Sequence, residues 1–113
     1  MCFLGVTMMY AQDNLAKSHG AEALRTSKTN GVYEFTLPSG VTADDVAKNS
    51  KYYELYMTPT FDANSHEVKI ELKENADKNR YIIARFLTVC GVQEIAVDGK
   101  NYTMSQFIDT YLK

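Results

Sequence analysis

The chain has 113 residues, which is enough for one domain with a modest core. Hydrophobic residues make up 45% and charged residues 23% of it, which are ordinary values for a soluble globular chain. The formal net charge is -2, and no basic stripe is present, so charge gives no reason for binding nucleic acid or an anionic membrane.

The first eleven residues are uncharged and mostly apolar, and they end at Ala11 before a polar stretch. This pattern is typical of the end of a secretory signal peptide, so we predict a truncated signal peptide over 1–11 and a periplasmic or secreted protein. The basic residues that normally precede such a run are missing, because the first is Lys17, and Met9 is a poor match to the cleavage pattern. The alternative is that 1–11 belong to the folded domain of a cytosolic regulatory protein. The run is too short to span a bilayer, which needs about 20 apolar residues, so we expect no stable membrane insertion.

Residues 12–31 are polar and small, and they predict a linker or a loosely attached helix. The Asn30-Gly31 turn signal then introduces a single α+β domain over 32–113. Alternation and turn residues predict five strands there, at Val32–Leu37, Tyr52–Thr58, Glu67–Lys73, Val92–Val97 and 100–102. Apolar residues at helical spacing predict helices at about 43–51, about 76–90 and from Met104 to the end of the chain.

Capping and turn residues mark the ends of several predicted helices and strands. Thr42 with Asp45, and Thr103 with Gln106, have the spacing of a capping box, and Asn75 is a candidate cap for the second helix. Pro59 argues that the second strand is an edge strand or ends there. Gly91 is placed to adopt a left-handed conformation after the second helix, and Asp98-Gly99 predicts a tight hairpin.

The order of these elements predicts a ferredoxin-like split β-α-β fold of the α+β class. It would be a two-layer sandwich, with an antiparallel sheet, helices on one face and a further C-terminal helix. Outward residues of the strands would line the other, wetted face; they are Glu34, Thr36, Glu54, Tyr56, Glu67, Lys69 and Glu71.

The run Gly91–Val97 and the order of elements resemble the small β-α-β-β-α-β modules of the heavy-metal-associated family. In that family the glycine-valine strand entry follows the first helix, whereas here it follows the second. The resemblance implies a Cys-x-x-Cys metal site after the first strand. This chain has Pro38-Ser39-Gly40-Val41 there, so metal carriage does not transfer.

The sequence holds no catalytic signature, and we predict a protein that is not an enzyme and needs no cofactor. The only cysteines are Cys2 and Cys90, which argues against a disulfide-stapled scaffold. Cys90 lies on the apolar stripe of the second helix, which is typical of a buried inert thiol. His19 and His66 belong to no cluster with metal-ligand spacing, so we predict no metal site.

Recognition of a protein partner or self-association is the leading functional hypothesis. Alternation turns Tyr52, Glu54 and Tyr56 outward near the expected sheet edge, and tyrosine suits interfaces, so these three are the predicted partner-binding residues. The alternatives are that the neighbouring tyrosines only close the core, or that the outer-face carboxylates bind or process a small ligand.

Overall fold

The structure is a computed structural model that describes residues 14–113. The predicted signal peptide over 1–11 and its Cys2 lie outside the described residues. The strands are β1 (Leu15–Ser18), β2 (Val32–Thr36), β3 (Met57–Asp62), β4 (Glu67–Leu72), β5 (Glu94–Val97) and β6 (Lys100–Thr103). The helices are α1 (Ala21–Asn30), α2 (Ala43–Ser50), α3 (Asp77–Val89) and α4 (Met104–Phe107), and α4 continues as a wider π-helical turn over Ile108–Leu112.

The described strands form one six-stranded sheet in the order β3-β4-β2-β1-β5-β6. Neighbours are antiparallel except for β1 and β5, which run parallel. The α+β class is therefore confirmed, but the prediction of an antiparallel-only sheet is wrong, because a strand that the sequence did not predict lies beside β5.

That strand is β1, and it corrects the prediction of a linker or a loosely attached helix over 12–31, since this segment holds both a strand and the helix α1. Lys17 pairs with Thr36 of β2 on one side and with Ala96 of β5 on the other. Ala16 is fully buried, and Leu24 of α1 is 2% exposed, so strand and helix both pack into the core. The sequence of this segment gives no clear strand signal. A four-residue strand that is paired on both sides is held mainly by backbone hydrogen bonds, and these require little alternation of polar and apolar side chains.

The prediction of a strand over Tyr52–Thr58 is also wrong in its position. Lys51–Tyr53 form a 3-10 turn that continues α2, and β3 begins only at Met57. The alternation of Tyr53, Leu55 and Met57 misled the prediction, since Leu55 is 81% exposed, whereas Met57 is buried and Tyr53 is partly buried against the core. Pro59 does lie in an edge strand, as predicted, because β3 pairs only with β4 among the described strands.

Turn and cap chemistry was predicted more accurately than strand positions. Thr42 and Thr103 each cap a helix through a complete capping box. Gly91 has a φ of 103°, and Asp98 and Gly99 both have positive φ in the β5–β6 turn, as that tight hairpin requires. Asn75 is not the cap of α3, which begins after Ala76; its side-chain amide instead donates to the carbonyls of Lys28 and Thr29.

One face of the sheet carries the core. Tyr33 and Phe35 of β2 are fully buried and stack with their ring centroids 6.4 Å apart. They join a single cluster to which all four helices contribute, through Leu24, Val46, Ile83, Phe86, Leu87, Phe107 and the adjoining Leu112. Among residues 14–113 the other face keeps exposed polar side chains, so the described part of the chain presents a helical side and an open sheet side.

Candidate functional sites

The predicted partner-binding residues lie on a turn rather than on a sheet edge. Tyr52, Glu54 and Tyr56 are all exposed, with Tyr52 at 72% and Tyr56 at 40% of their full surface. Tyr53, between them, turns inward and meets Phe86 edge-on at 6.1 Å between ring centroids. The amide of Lys73 donates to the Tyr56 carbonyl, which anchors the segment after β4.

Exposed large apolar side chains are confined to two elements of the described chain. Tyr52, Leu55 and Tyr56 come from segment 51–56, while Tyr81 and Val89 come from the outer side of α3. Tyr53 connects them, because it lines the same groove as Tyr81 and Val89. We call the surface formed by segment 51–56 and the outer side of α3 the helical-side patch.

A groove of about 830 Å³ lies in this patch, between α3 and the C-terminal helix. Its apolar lining includes Ile82 of α3 with Met104 and Ile108 of the C-terminal segment. Lys78 and Arg85 also line it, and no carboxylate belongs to the lining among the described residues. The groove is therefore apolar with a cationic rim, although the whole chain carries a formal net charge of -2.

A second cluster lies on the open side of the sheet, where β1 ends. The pairing of Ser18 with Phe35 sets His19 beside Glu34 of β2. Glu67 begins β4, opposite Thr36 of the same strand β2. Nε2 of His19 lies 3.7 Å from Oε1 of Glu34 and 3.4 Å from Oε2 of Glu67, and one ligand atom from each residue lies within 4.8 Å of the other two.

The backbone around His19 is held in place by its neighbours. The Ser18 hydroxyl donates to the Ala96 carbonyl and accepts from the Gly20 amide. Gly20 has a φ of 110°, and a Cβ at this position would come within 2.7 Å of the Asp98 carboxylate. The same carboxylate accepts a hydrogen bond from the amide of Ala21. Only glycine fits this turn, and the turn fixes where the His19 side chain leaves the backbone.

Two shallow clefts adjoin this cluster. One, of about 220 Å³, is lined by Glu34 and Glu67 together with Thr60, Asp62, Ser65 and Lys69. The other, of about 300 Å³, is lined by His19 and Glu34 together with residues of α1. Glu34 thus belongs to both clefts, and the cluster lies where they meet.

The structure places some of the predicted outer-face residues together on the sheet and others away from it. Glu34, Glu67, Lys69 and Glu71 lie on β2 and β4 and point away from the core, whereas Glu54 lies on the turn after α2. His19 was not predicted to join the carboxylates, because its position depends on the unpredicted β1. The alternating strand pattern was the only sequence signal for this cluster, and it located the two glutamates alone.

Cys90 has the environment of an unreactive thiol. It is 7% exposed at the end of α3, and the Asn49 side-chain amide lies 3.7 Å from Sγ. Burial raises the pKa of the Cys90 thiol to about 11, which keeps it protonated at neutral pH. A nucleophilic role would require the opposite shift.

No helix among residues 14–113 is long and apolar enough to cross a membrane. Comparison with known protein families, curated proteins and solved structures finds no match for this chain.

Proposed function

We propose that the protein is a non-enzymatic binding domain that receives an acidic amphipathic helix of a partner protein in the groove of the helical-side patch. The observation that carries the proposal is that the five exposed large apolar side chains of the described residues all come from segment 51–56 and α3, and that two of them, Tyr81 and Val89, line the groove. Exposed apolar patches mark interaction sites on folded proteins. Tyrosine, which supplies three of the five side chains, is enriched in such sites.

The shape of the groove favours a helix as the occupant. From Lys78 to Val89 the outer side of α3 runs for about 16 Å, or roughly three helical turns. Met104 and Ile108 form the opposite wall. An amphipathic helix of similar length could lay its apolar stripe between these walls, as in other helix-in-groove complexes.

The charge of the lining favours an acidic partner. Lys78 and Arg85 are exposed at the rim, and the part of the groove formed by residues 14–113 offers no carboxylate with which a basic helix could pair. Complementary charge adds specificity and association rate more than affinity. The apolar anchors would therefore supply most of the binding, and the two cations would select against basic segments.

Two synthetic peptides test this proposal. They share one apolar stripe, but the polar face carries glutamates in one and lysines in the other. Titrated into isotopically labelled protein, the acidic peptide should shift the amide resonances of α3 and of residues 104–112, and the basic peptide should not. Equal binding of both peptides, or shifts that map to the open sheet side, would refute the proposal.

Charge reversal supplies the matched control. Arg85→Glu should weaken binding of the acidic peptide about tenfold, equivalent to roughly 1.4 kcal/mol. Arg25→Glu reverses an arginine on the exposed surface of α1, outside the groove, and should leave the affinity unchanged. Tyr56→Ala should weaken binding without unfolding, because Tyr56 is exposed. If both arginine variants lose the same affinity, the peptide responds only to the net charge of the protein, and the groove is not its binding site.

Self-association through the same patch is the competing outcome. Sedimentation of the unliganded protein over a range of concentrations separates the two possibilities. A monomer at every concentration agrees with our proposal. A dimer that Tyr81→Glu dissociates would mean that a second copy, rather than a partner helix, covers the groove.

We also infer that the fold is an enlarged ferredoxin-like split β-α-β arrangement. Without β1, the order β3-β4-β2-β5 and the alternating strand directions are those of that fold. Insertion of β1 between β2 and β5 would then explain the single parallel pair in the described sheet.

Export to the periplasm or the outside of the cell remains a proposal drawn from residues 1–11. It is supported by the described strands, all of which lie after Ala11 and would be kept in a chain cut there. Mass spectrometry of the endogenous N-terminus tests it. Mature protein beginning at Gln12 would agree with export, and retention of 1–11 would contradict it.

A further inference from the structure

We propose that His19, Glu34 and Glu67 form a binding site for a divalent metal ion of the zinc class. The three residues come from different elements, namely the end of β1, the middle of β2 and the start of β4. This site lies on the open sheet side and is independent of the helix-binding groove on the helical side.

The donor set is what a zinc-class ion prefers. One imidazole nitrogen and two carboxylate oxygens are common zinc ligands, and a site with three protein ligands leaves a fourth position for water or another ligand. The imidazole distinguishes this cluster from a group of surface carboxylates, which would suit magnesium or calcium.

The spacing of the three donors also fits a single ion. Two ligand atoms that each lie about 2.1 Å from a tetrahedral ion are about 3.4 Å apart. Nε2 of His19 lies 3.4 Å from Oε2 of Glu67 and 3.7 Å from Oε1 of Glu34. All three donor atoms lie within 4.8 Å of one another, so small side-chain rotations would bring them to one centre.

The scaffold limits the cost of assembling the site. Glu34 and Glu67 are fixed by the ladder between β2 and β4, and His19 follows the strand β1 directly. The glycine turn at Gly20, closed by Asp98, fixes the backbone on the other side of His19. With the three backbones held in this way, only the side-chain rotamers have to be ordered when an ion binds.

The surroundings leave room for a further ligand on the ion. The cleft that contains Glu34 and Glu67 also presents the hydroxyls of Thr60 and Ser65, the ammonium group of Lys69 and the carboxylate of Asp62. A small anion bound at the open position of the ion could accept hydrogen bonds from the hydroxyls and the ammonium group, and a water bound there could donate to Asp62. The site would therefore suit a metal with an exchangeable anionic or water ligand.

A simple ion pair is the competing explanation for the cluster, because a protonated His19 between two carboxylates would give similar distances. Substitution by lysine separates the two explanations. His19→Lys keeps a positive charge beside Glu34 and Glu67 but removes the imidazole nitrogen, so it preserves an ion pair and removes a metal ligand.

The test is calorimetric titration of tag-free, chelator-treated protein with zinc chloride. We expect one site per chain in the wild type. His19→Lys, Glu34→Gln and Glu67→Gln should each weaken zinc binding by more than about tenfold, because even residues that only orient metal ligands cost 10- to 100-fold. Glu71→Gln is the matched control, since Glu71 is exposed on the same face of β4, and it should bind zinc like the wild type.

The two histidines give a second readout. His66 lies near the cluster in sequence, but its Nε2 is 2.9 Å from the Pro38 carbonyl. Zinc should therefore shift the imidazole resonances of His19 much more than those of His66. No heat of binding in the wild type, unchanged affinity in His19→Lys, or an equal loss in Glu71→Gln would each overturn the proposal.

Discussion

The thiol of Cys90 illustrates how burial decides the chemistry of a single residue. Its pKa is raised to about 11 because the thiolate would lose its hydration at the end of α3. We expect Cys90 in folded protein to resist a disulfide reagent at pH 8 and to react fully once guanidinium unfolds the chain. Cys2→Ser protein is the correct background, because its only thiol is Cys90. A native reaction as fast as the denatured one would contradict this environment.

Tyr33 gives a residue-scale prediction about alkaline pH. Its hydroxyl is buried without a hydrogen-bond partner among the described residues, and burial raises its pKa to about 12. The folded state therefore keeps a proton that an unfolded tyrosine loses near pH 10, so stability falls as the pH rises from about 10 to about 12.

Tyr33→Phe should remove this part of the alkaline destabilisation and be close to neutral at pH 7, because the lost hydroxyl satisfies no partner. Urea unfolding at pH 7 and across the alkaline range measures both effects. Tyr52→Phe is the control, since Tyr52 is 72% exposed. The same alkaline slope in wild type and Tyr33→Phe would show that another group titrates there.

At the same scale, the sequence predicted two thirds of the open-face cluster. Glu34 and Glu67 each lie beside a core residue in a clearly alternating strand, and alternation turned both outward. His19 has no such neighbours. Its place beside the two carboxylates follows from the pairing of Ser18 with Phe35, and the polar residues around it give no sign of that pairing.

At the scale of elements, Arg80 joins α3 to the C-terminal helix and to the loop before α3. Only 7% of Arg80 is exposed; its Nε donates to the Leu112 carbonyl at 2.9 Å, and Nη1 donates to Oδ1 of Asn75 at 2.7 Å. Nη2 pairs with the carboxylate of Asp77. Asn75 in turn bonds the last turn of α1, so one guanidinium connects three helices.

Arg80→Met should lower the free energy of unfolding by about 1–3 kcal/mol, because it leaves the carbonyl of buried Leu112 unpaired and removes the hydrogen bonds to Asn75 and Asp77. Urea denaturation measures the loss. Arg85→Met, an exposed arginine one turn further along α3, should change stability by no more than about 0.5 kcal/mol. Similar stability of the two variants would mean that the Arg80 hydrogen bonds contribute little to holding the helices together.

The sequence predicts the bounds of some strands and helices much better than those of others. β4 was predicted to within one residue, since Val68, Ile70 and Leu72 alternate with charged residues. Segment 51–56 shows the same alternation, but it is not a strand. It forms the 3-10 turn after α2 and the residues that follow this turn, and β3 begins only at Met57. Periodicity reports which side chains could share a face, and it cannot report whether a partner strand lies beside them.

At the scale of the whole molecule, the two proposed sites lie on opposite sides of one layer. The groove is walled by helices, and the His19 cluster projects from the open sheet, with the core between them. Substitutions at exposed positions on one side should therefore leave the other unaffected, as expected for distant sites without shared partners. Because the two sites are separate, a result that contradicts one proposal leaves the other standing.

The strand β1 is the element on which this architecture depends, because it joins β2–β4 to β5–β6 within the sheet. Ala16 lies fully buried in its middle, so Ala16→Lys would place a charge in the core, and we expect a loss of more than about 4 kcal/mol or failure to fold. Ala63→Lys makes the same change in the exposed β3–β4 turn and should be close to neutral. Urea denaturation and circular dichroism compare the two. If residues 12–31 were a linker, both lysines would be equally harmless, and a stable Ala16→Lys protein would remove β1 from the sheet.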